Sequence, residues 1–111
     1  MNQEIGELRS MLGAERVVAL LARFRSELEA PLTIGDDTVE LRDRAHRTIS
    51  QAGMLGFHNL SDAARKLENA PRNNVELSDA VAVVVELQGE VLAQIAVLLD
   101  ELAYDPMDKT R

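Results

Sequence analysis

Leu77, Val81, Val84, Leu87, Val91, Ile95, Leu98 and Leu102 recur at intervals of 3 or 4 residues, and this run constrains the fold more than any other feature of the chain. Such intervals return each side chain to the same side of an α-helix. The stretch from about Asn74 to Leu102 therefore reads as one helix of roughly 28 residues, about 42 Å long at 1.5 Å per residue. A helix of that length with a continuous apolar stripe either overhangs its neighbours or packs along their full length. Gly89 is its only weak interior residue.

The rest of the chain supplies those neighbours. Ile5, Leu8, Met11 and Leu12 mark a short helix from Asn2 to about Leu12, ending near Gly13 and too short to hold alone. Val17, Leu20, Leu21, Phe24 and Leu28 give Ala14 to Ala30 a core-facing stripe. Pro31 to Gly35 breaks the pattern, and Asp36 or Asp37 caps the next helix, with Asp37 and Glu40 spaced as a capping box. In that helix Leu41, Ala45, Thr48, Ala52 and Leu55 form one apolar stripe carrying a single hydroxyl. It should stop near Leu55, with Gly56 just past its end. A helix beginning at His58 or Asn59 then runs through Leu60, Ala63, Ala64 and Leu67 until Pro71 and the run Arg-Asn-Asn stop it. The short turn after Gly56 makes these two helices an antiparallel hairpin. Helical spacing throughout, with no alternating pattern, predicts an all-α chain: an up-and-down antiparallel four-helix bundle with a short extra N-terminal helix. Residues 1–104 read as one domain and 105–111 as a flexible C-terminal tail.

The chain has 111 residues and no cysteine, enough to bury a core without disulfides or zinc-thiolate sites. With no Trp, one Tyr and two Phe, that core must be aliphatic. A formal net charge of −7 argues against binding to nucleic acid or an anionic membrane surface. The amino terminus lacks a signal peptide pattern, and Glu86 and Glu90 interrupt the most apolar run, so no membrane span is expected. These features suit a cytoplasmic protein with protein partners.

His46 lies about 100° from the Leu41-to-Leu55 stripe by helix geometry, so it faces outward. Alone, an exposed helix histidine is usually an ordinary polar surface residue. Its surroundings are less ordinary. Ala45, His46, Ala52, Gly53, Gly56, Leu60, Leu67 and Glu68 stand in an order and spacing that resembles, without a gap, the signature of histidine-containing phosphotransfer (HPt) domains. The order of helices extends the resemblance over nearly the whole chain.

The resemblance implies an HPt-like bundle in which His46 is the phosphoacceptor. A neutral imidazole has one unprotonated nitrogen that can attack phosphorus. It further implies a phosphorelay intermediate that takes a phosphoryl group from one receiver-domain aspartate and passes it to another, without autonomous kinase activity. The partners would be receiver domains of response regulators and hybrid histidine kinases. The chain itself would bind no cofactor and no metal, the divalent metal, magnesium, being expected on the receiver. A lone domain of this kind is expected to be a monomer. Two positions depart from the family pattern, which has Lys three and Gly four residues after the histidine, where this chain has Ile49 and Ser50. That departure supports an alternative, a degenerate bundle that binds a receiver or kinase as an adaptor without being phosphorylated.

Arg42, Ile49, Ser50 and Gly53 are the expected partner-binding residues. Arg42, one turn before His46, is the best placed to replace the missing lysine, or it pairs with an acidic neighbour. Ile49 is either marginal core or an apolar contact for the receiver. Ser50 is small enough to leave the approach open. Gly53, seven residues after His46, costs a helix roughly 1 kcal/mol relative to alanine, which suggests close approach by something on that face, unless it is merely near the helix end. His58 caps or decorates a turn.

Overall fold

The computed structural model describes residues 2–30, 38–70 and 74–103. Five helices follow in order: α1 (Gln3–Leu12), α2 (Ala14–Leu28), α3 (Thr38–Met54), α4 (His58–Glu68) and α5 (Asn74–Ala103). There is no strand among the described residues. α1 lies against α2, α2 against α5, α5 against α4, and α4 against α3. The result is the expected all-α bundle, α2 to α5 preceded by the short α1.

The apolar stripes meet in one core. Val17, Leu21, Phe24 and Leu28 of α2 are buried, as are Leu41, Ala45, Ala52 and Leu55 of the third stripe. Thr48 is buried with them, and its hydroxyl donates to the carbonyl of Arg44 at 2.9 Å, so the one polar atom in that stripe is satisfied. In α1 only Ile5 is fully buried, while Met11 is 78% exposed. The expected break at Pro31 to Gly35, the cap at Asp36 or Asp37, the stop at Pro71 and the tail after Tyr104 lie outside the described residues.

Two details of α5 differ from the sequence reading. Gln88, not Leu87, occupies the core line, and Leu87 is half-buried on the side facing α4. The buried line Val81, Val84, Gln88, Val91, Ile95, Leu98 and Leu102 alternates intervals of 3 and 4 strictly, and a stripe drawn through the more apolar Leu87 breaks that alternation. The Glu76–Ala103 stretch, which holds an 18-residue window with a mean hydropathy of 1.8, is also long and apolar enough to cross a membrane by length and composition. The two glutamates do not prevent that, contrary to the expectation from sequence. In this fold its apolar residues Val81, Val84, Val91, Ile95, Leu98 and Leu102 are buried in the bundle core.

The α3–α4 turn is closed by backbone hydrogen bonds and tied down from both sides. Phe57 N–H donates to the Ala52 carbonyl at 2.8 Å and Gly56 N–H to the Gly53 carbonyl at 3.2 Å, closing α3 through a glycine with φ of +87°. Buried Phe57 then stacks on Phe24 of α2, with ring centroids 6.1 Å apart. From the other side, Asn2 Nδ2 donates to the Leu55 carbonyl at 3.0 Å while its Oδ1 accepts from Ile5 N–H at 2.8 Å. One asparagine thus caps α1 and ties it to the turn.

Candidate functional site

The hairpin determines what His46 meets. In two antiparallel helices of equal rise, residues equally far from the turn lie opposite one another. Phe57 marks the turn, so His46, eleven residues before it, comes opposite Glu68, eleven after it. The same rule sets Gly53 opposite Ser61. Both pairings are present.

His46 Nδ1 donates to Glu68 Oε2 at 2.8 Å. An ionised carboxylate can only accept, so the proton resides on Nδ1 and the neutral ring carries its lone pair on Nε2. The His46 side chain is 74% exposed, and Nε2, the ring nitrogen remote from the backbone, is the one left for a partner. Glu68 is more sheltered, at 31%, and its own carbonyl accepts a hydrogen bond from Arg42. The pair is therefore a positioned nucleophile with a carboxylate behind it. That carboxylate fixes the tautomer and can balance positive charge developing on the ring.

Arg42 pairs with backbone carbonyls rather than with the acidic neighbour expected. Its guanidinium donates to the backbone carbonyls of Glu68 and Ala70, the latter at 2.8 Å, at the C-terminal end of α4. A cation there satisfies carbonyls the helix leaves open and opposes the negative end of its dipole. Arg42 thus pins the α4 end beneath the His46–Glu68 pair through backbone, not through an acidic side chain.

Ile49 is half-buried at the α3–α4 seam, between the two roles proposed for it, and its carbonyl accepts from Ser61 Oγ at 2.9 Å. Ser50 is exposed beside His46. Val39, seven residues before His46, lies on the same side of α3 and is 62% exposed, while Met54, eight residues after it, lies about 80° round the helix and is 46% exposed.

Gly53 is half-buried, and a Cβ on it would sit 3.6 Å from Ser61 Oγ. The element approaching this glycine closely is therefore α4. Alanine fits at ordinary contact distance, so Gly53→Ala should raise the melting temperature modestly, by at most the equivalent of about 1 kcal/mol. Gly53→Gln must push a longer chain against Ser61 or out beside His46. A loss of about 1 to 3 kcal/mol is expected, read by thermal melting of the two variants. Equal melting of wild type and Gly53→Gln would show that the seam is open at this point.

His58 forms a second histidine–glutamate pair, Nε2 with Glu4 Oε2. This contact, followed by a backbone hydrogen bond, holds the Glu4 carboxyl below the usual carboxylate range. It joins α4 to α1 at the turn end of the hairpin. Among the described residues no group of His, Cys, Asp and Glu could hold a metal ion.

The family model of the Hpt domain matches residues 14–104. The chain belongs to the Hpt domain family. Neither a curated protein nor a solved structure matches it significantly. Hpt domains carry phosphoryl groups in two-component signalling and interact with receiver domains, and the match covers α2 to α5, including the His46–Glu68 pair, while α1 precedes it. Sequence reasoning placed Glu68 in the family signature without giving it a role. The signal was the equal distance of His46 and Glu68 from the turn.

Proposed function

We propose that this Hpt domain is a phosphorelay intermediate in which His46 Nε2 is the phosphoacceptor. The lone pair on Nε2 attacks the phosphorus of a receiver's aspartyl phosphate. The N–P bond forms as the P–O bond to the aspartate breaks, and the carboxylate leaves with the electron pair. Nδ1 keeps its proton, and Glu68 balances the positive charge taken up by the ring. The same steps in reverse deliver the phosphoryl group to a second receiver.

The observation that carries this reading is the 2.8 Å contact from Nδ1 to Glu68, which leaves Nε2 outermost. The chain contributes a held nucleophile, and most of the rate comes from alignment and from charge supplied by the receiver. In this proposal the divalent metal, magnesium, belongs to the receiver. Its partners are receiver domains of response regulators and hybrid kinases, met in the cytosol by a monomer. Val39, Ser50, Met54 and the exposed edge of Ile49 give the approaching receiver a small, partly apolar collar around the imidazole. With an isoleucine where the family has lysine, that collar relies more on apolar contact than on charge.

The test is incubation with magnesium and a panel of phosphorylated receiver domains. Label that is base-stable and acid-labile should appear on this chain and pass on to a second, unlabelled receiver. Receiver binding with no transfer from any member of the panel would instead identify an adaptor.

A further inference from the structure

We propose that the groove between α4 and α5, on the flank of α4 away from His46, docks a basic amphipathic helix of a partner protein. Ala63 of α4 and Ala80, Val83 and Leu87 of α5 line one part of it, a cavity of about 410 Å³. A second part of about 580 Å³ continues past His58 to Val97 and Leu98. Val83 and Val97 are 48% and 56% exposed. They stand fourteen residues apart, close to four turns, so the groove extends for about 21 Å with apolar residues at each end and Glu90 and Gln94 between them. That is the footprint of a helix of three to four turns whose anchors recur every 3 or 4 residues.

Charge decides what kind of helix fits. α5 carries Glu76, Asp79, Glu86, Glu90, Asp100 and Glu101 and has no Lys, Arg or His anywhere in its length. The α4 wall adds Asp62 beside Lys66 in the first part and His58 in the second, against Asp79, Glu90 and Glu101 from α5, so it does not reverse the sign. An occupant with lysines or arginines flanking its apolar stripe gains attraction along the whole groove. A second copy of this chain would instead oppose two acidic helices, and an anionic surface would be repelled in the same way.

The location has a functional consequence. α4 turns Ser61 and Glu68 toward α3 and Ala63 toward the groove, so the two faces are separated by the width of one helix. An occupied groove leaves His46 open. A partner tethered there would hold its catalytic part at high effective concentration near the imidazole. The groove itself does not depend on His46 being phosphorylated.

Two synthetic 18-residue peptides test the idea on the full chain: a leucine–lysine amphipathic helix and the same sequence with glutamate for lysine. Binding is read by titration, and its location by backbone amide NMR. The lysine peptide should bind, with shifts confined to α4 and residues 80–98. The double variant Val83→Gln/Val97→Gln should weaken it at least tenfold, Asp79→Asn/Glu90→Gln several-fold at low salt, and His46→Gln not at all. Both valines are exposed and glutamine is a good helix former, so these variants should fold; if melting shows otherwise, Val97→Ala makes the same test with a smaller expected loss. Three results would overturn the proposal: equal binding of the glutamate peptide, shifts spread over every acidic surface without loss in the valine variants, or self-association through Val83 and Val97 in sedimentation.

Discussion

His46→Gln is expected to accept no phosphoryl group from any receiver, while His58→Gln keeps the wild-type level. Two exposed histidines, each held by a glutamate, make this a discriminating comparison. They present opposite nitrogens. His46 gives Nδ1 to Glu68 and leaves Nε2 at the tip of the ring. His58 gives Nε2 to Glu4 and leaves Nδ1, which lies next to the side chain's own Cβ and the start of α4. A phosphorus centre must approach within roughly 3 to 3.5 Å in line with its leaving group, and the tip of a ring permits that where its base does not. Glutamine at position 46 retains a polar side chain able to meet Glu68 but has no nucleophilic nitrogen. Loss of transfer with an unchanged melting temperature is therefore the expected result, a fall to the detection limit. Label retained on His46→Gln, or lost from a folded His58→Gln, would move the phosphoacceptor away from His46 and with it the proposed mechanism.

Local periodicity made most of the fold legible. Leu41, Ala45, Thr48, Ala52 and Leu55 needed only a count of 3 and 4 to be assigned to the core, and all five are buried. The outward position of His46 followed from the same count. What the count could not supply were contacts between residues far apart in the chain. Arg42 has acidic neighbours in sequence, yet its partners are backbone carbonyls 26 and 28 residues away. The Asn2–Leu55 and Glu4–His58 contacts, spanning 53 and 54 residues, have no local signature at all. Gln88 is instructive in another way. A polar residue on the core line looks like an error in a stripe, so the eye moves to Leu87. The strict alternation of 3 and 4 from Val84 to Val91 passes through position 88, and that brings the glutamine inside. Gly53 lay between these cases: the glycine announced a close approach, but only the hairpin geometry identifies Ser61 as the neighbour.

Gly56→Ala is expected to be the most destabilising alanine substitution among the described glycines, because two independent costs fall on the same atom. The first is conformational. Gly56 has φ of +87°, where an L side chain meets the following carbonyl, at a cost of roughly 1 to 2 kcal/mol. The second is steric. A Cβ there would come 2.7 Å from both Nδ2 and Oδ1 of Asn2. Asn2 can swing away, but only by giving up the cap on Ile5 N–H and its bond to the Leu55 carbonyl. Loss of such a cap costs typically about 1 kcal/mol. Together the variant should lose about 2 to 4 kcal/mol, and for a domain of this size each of those is worth about 4 to 8 °C in melting temperature. Asn2→Ala alone incurs only the second cost. In the double variant the asparagine is already gone, so Gly56→Ala should there lose only its conformational part, and the two changes should add to less than their sum. Strict additivity would mean that Asn2 does not contact the turn. A Gly56→Ala variant as stable as wild type would mean that the turn is not held in the left-handed region, and the register that sets His46 opposite Glu68 would need another origin.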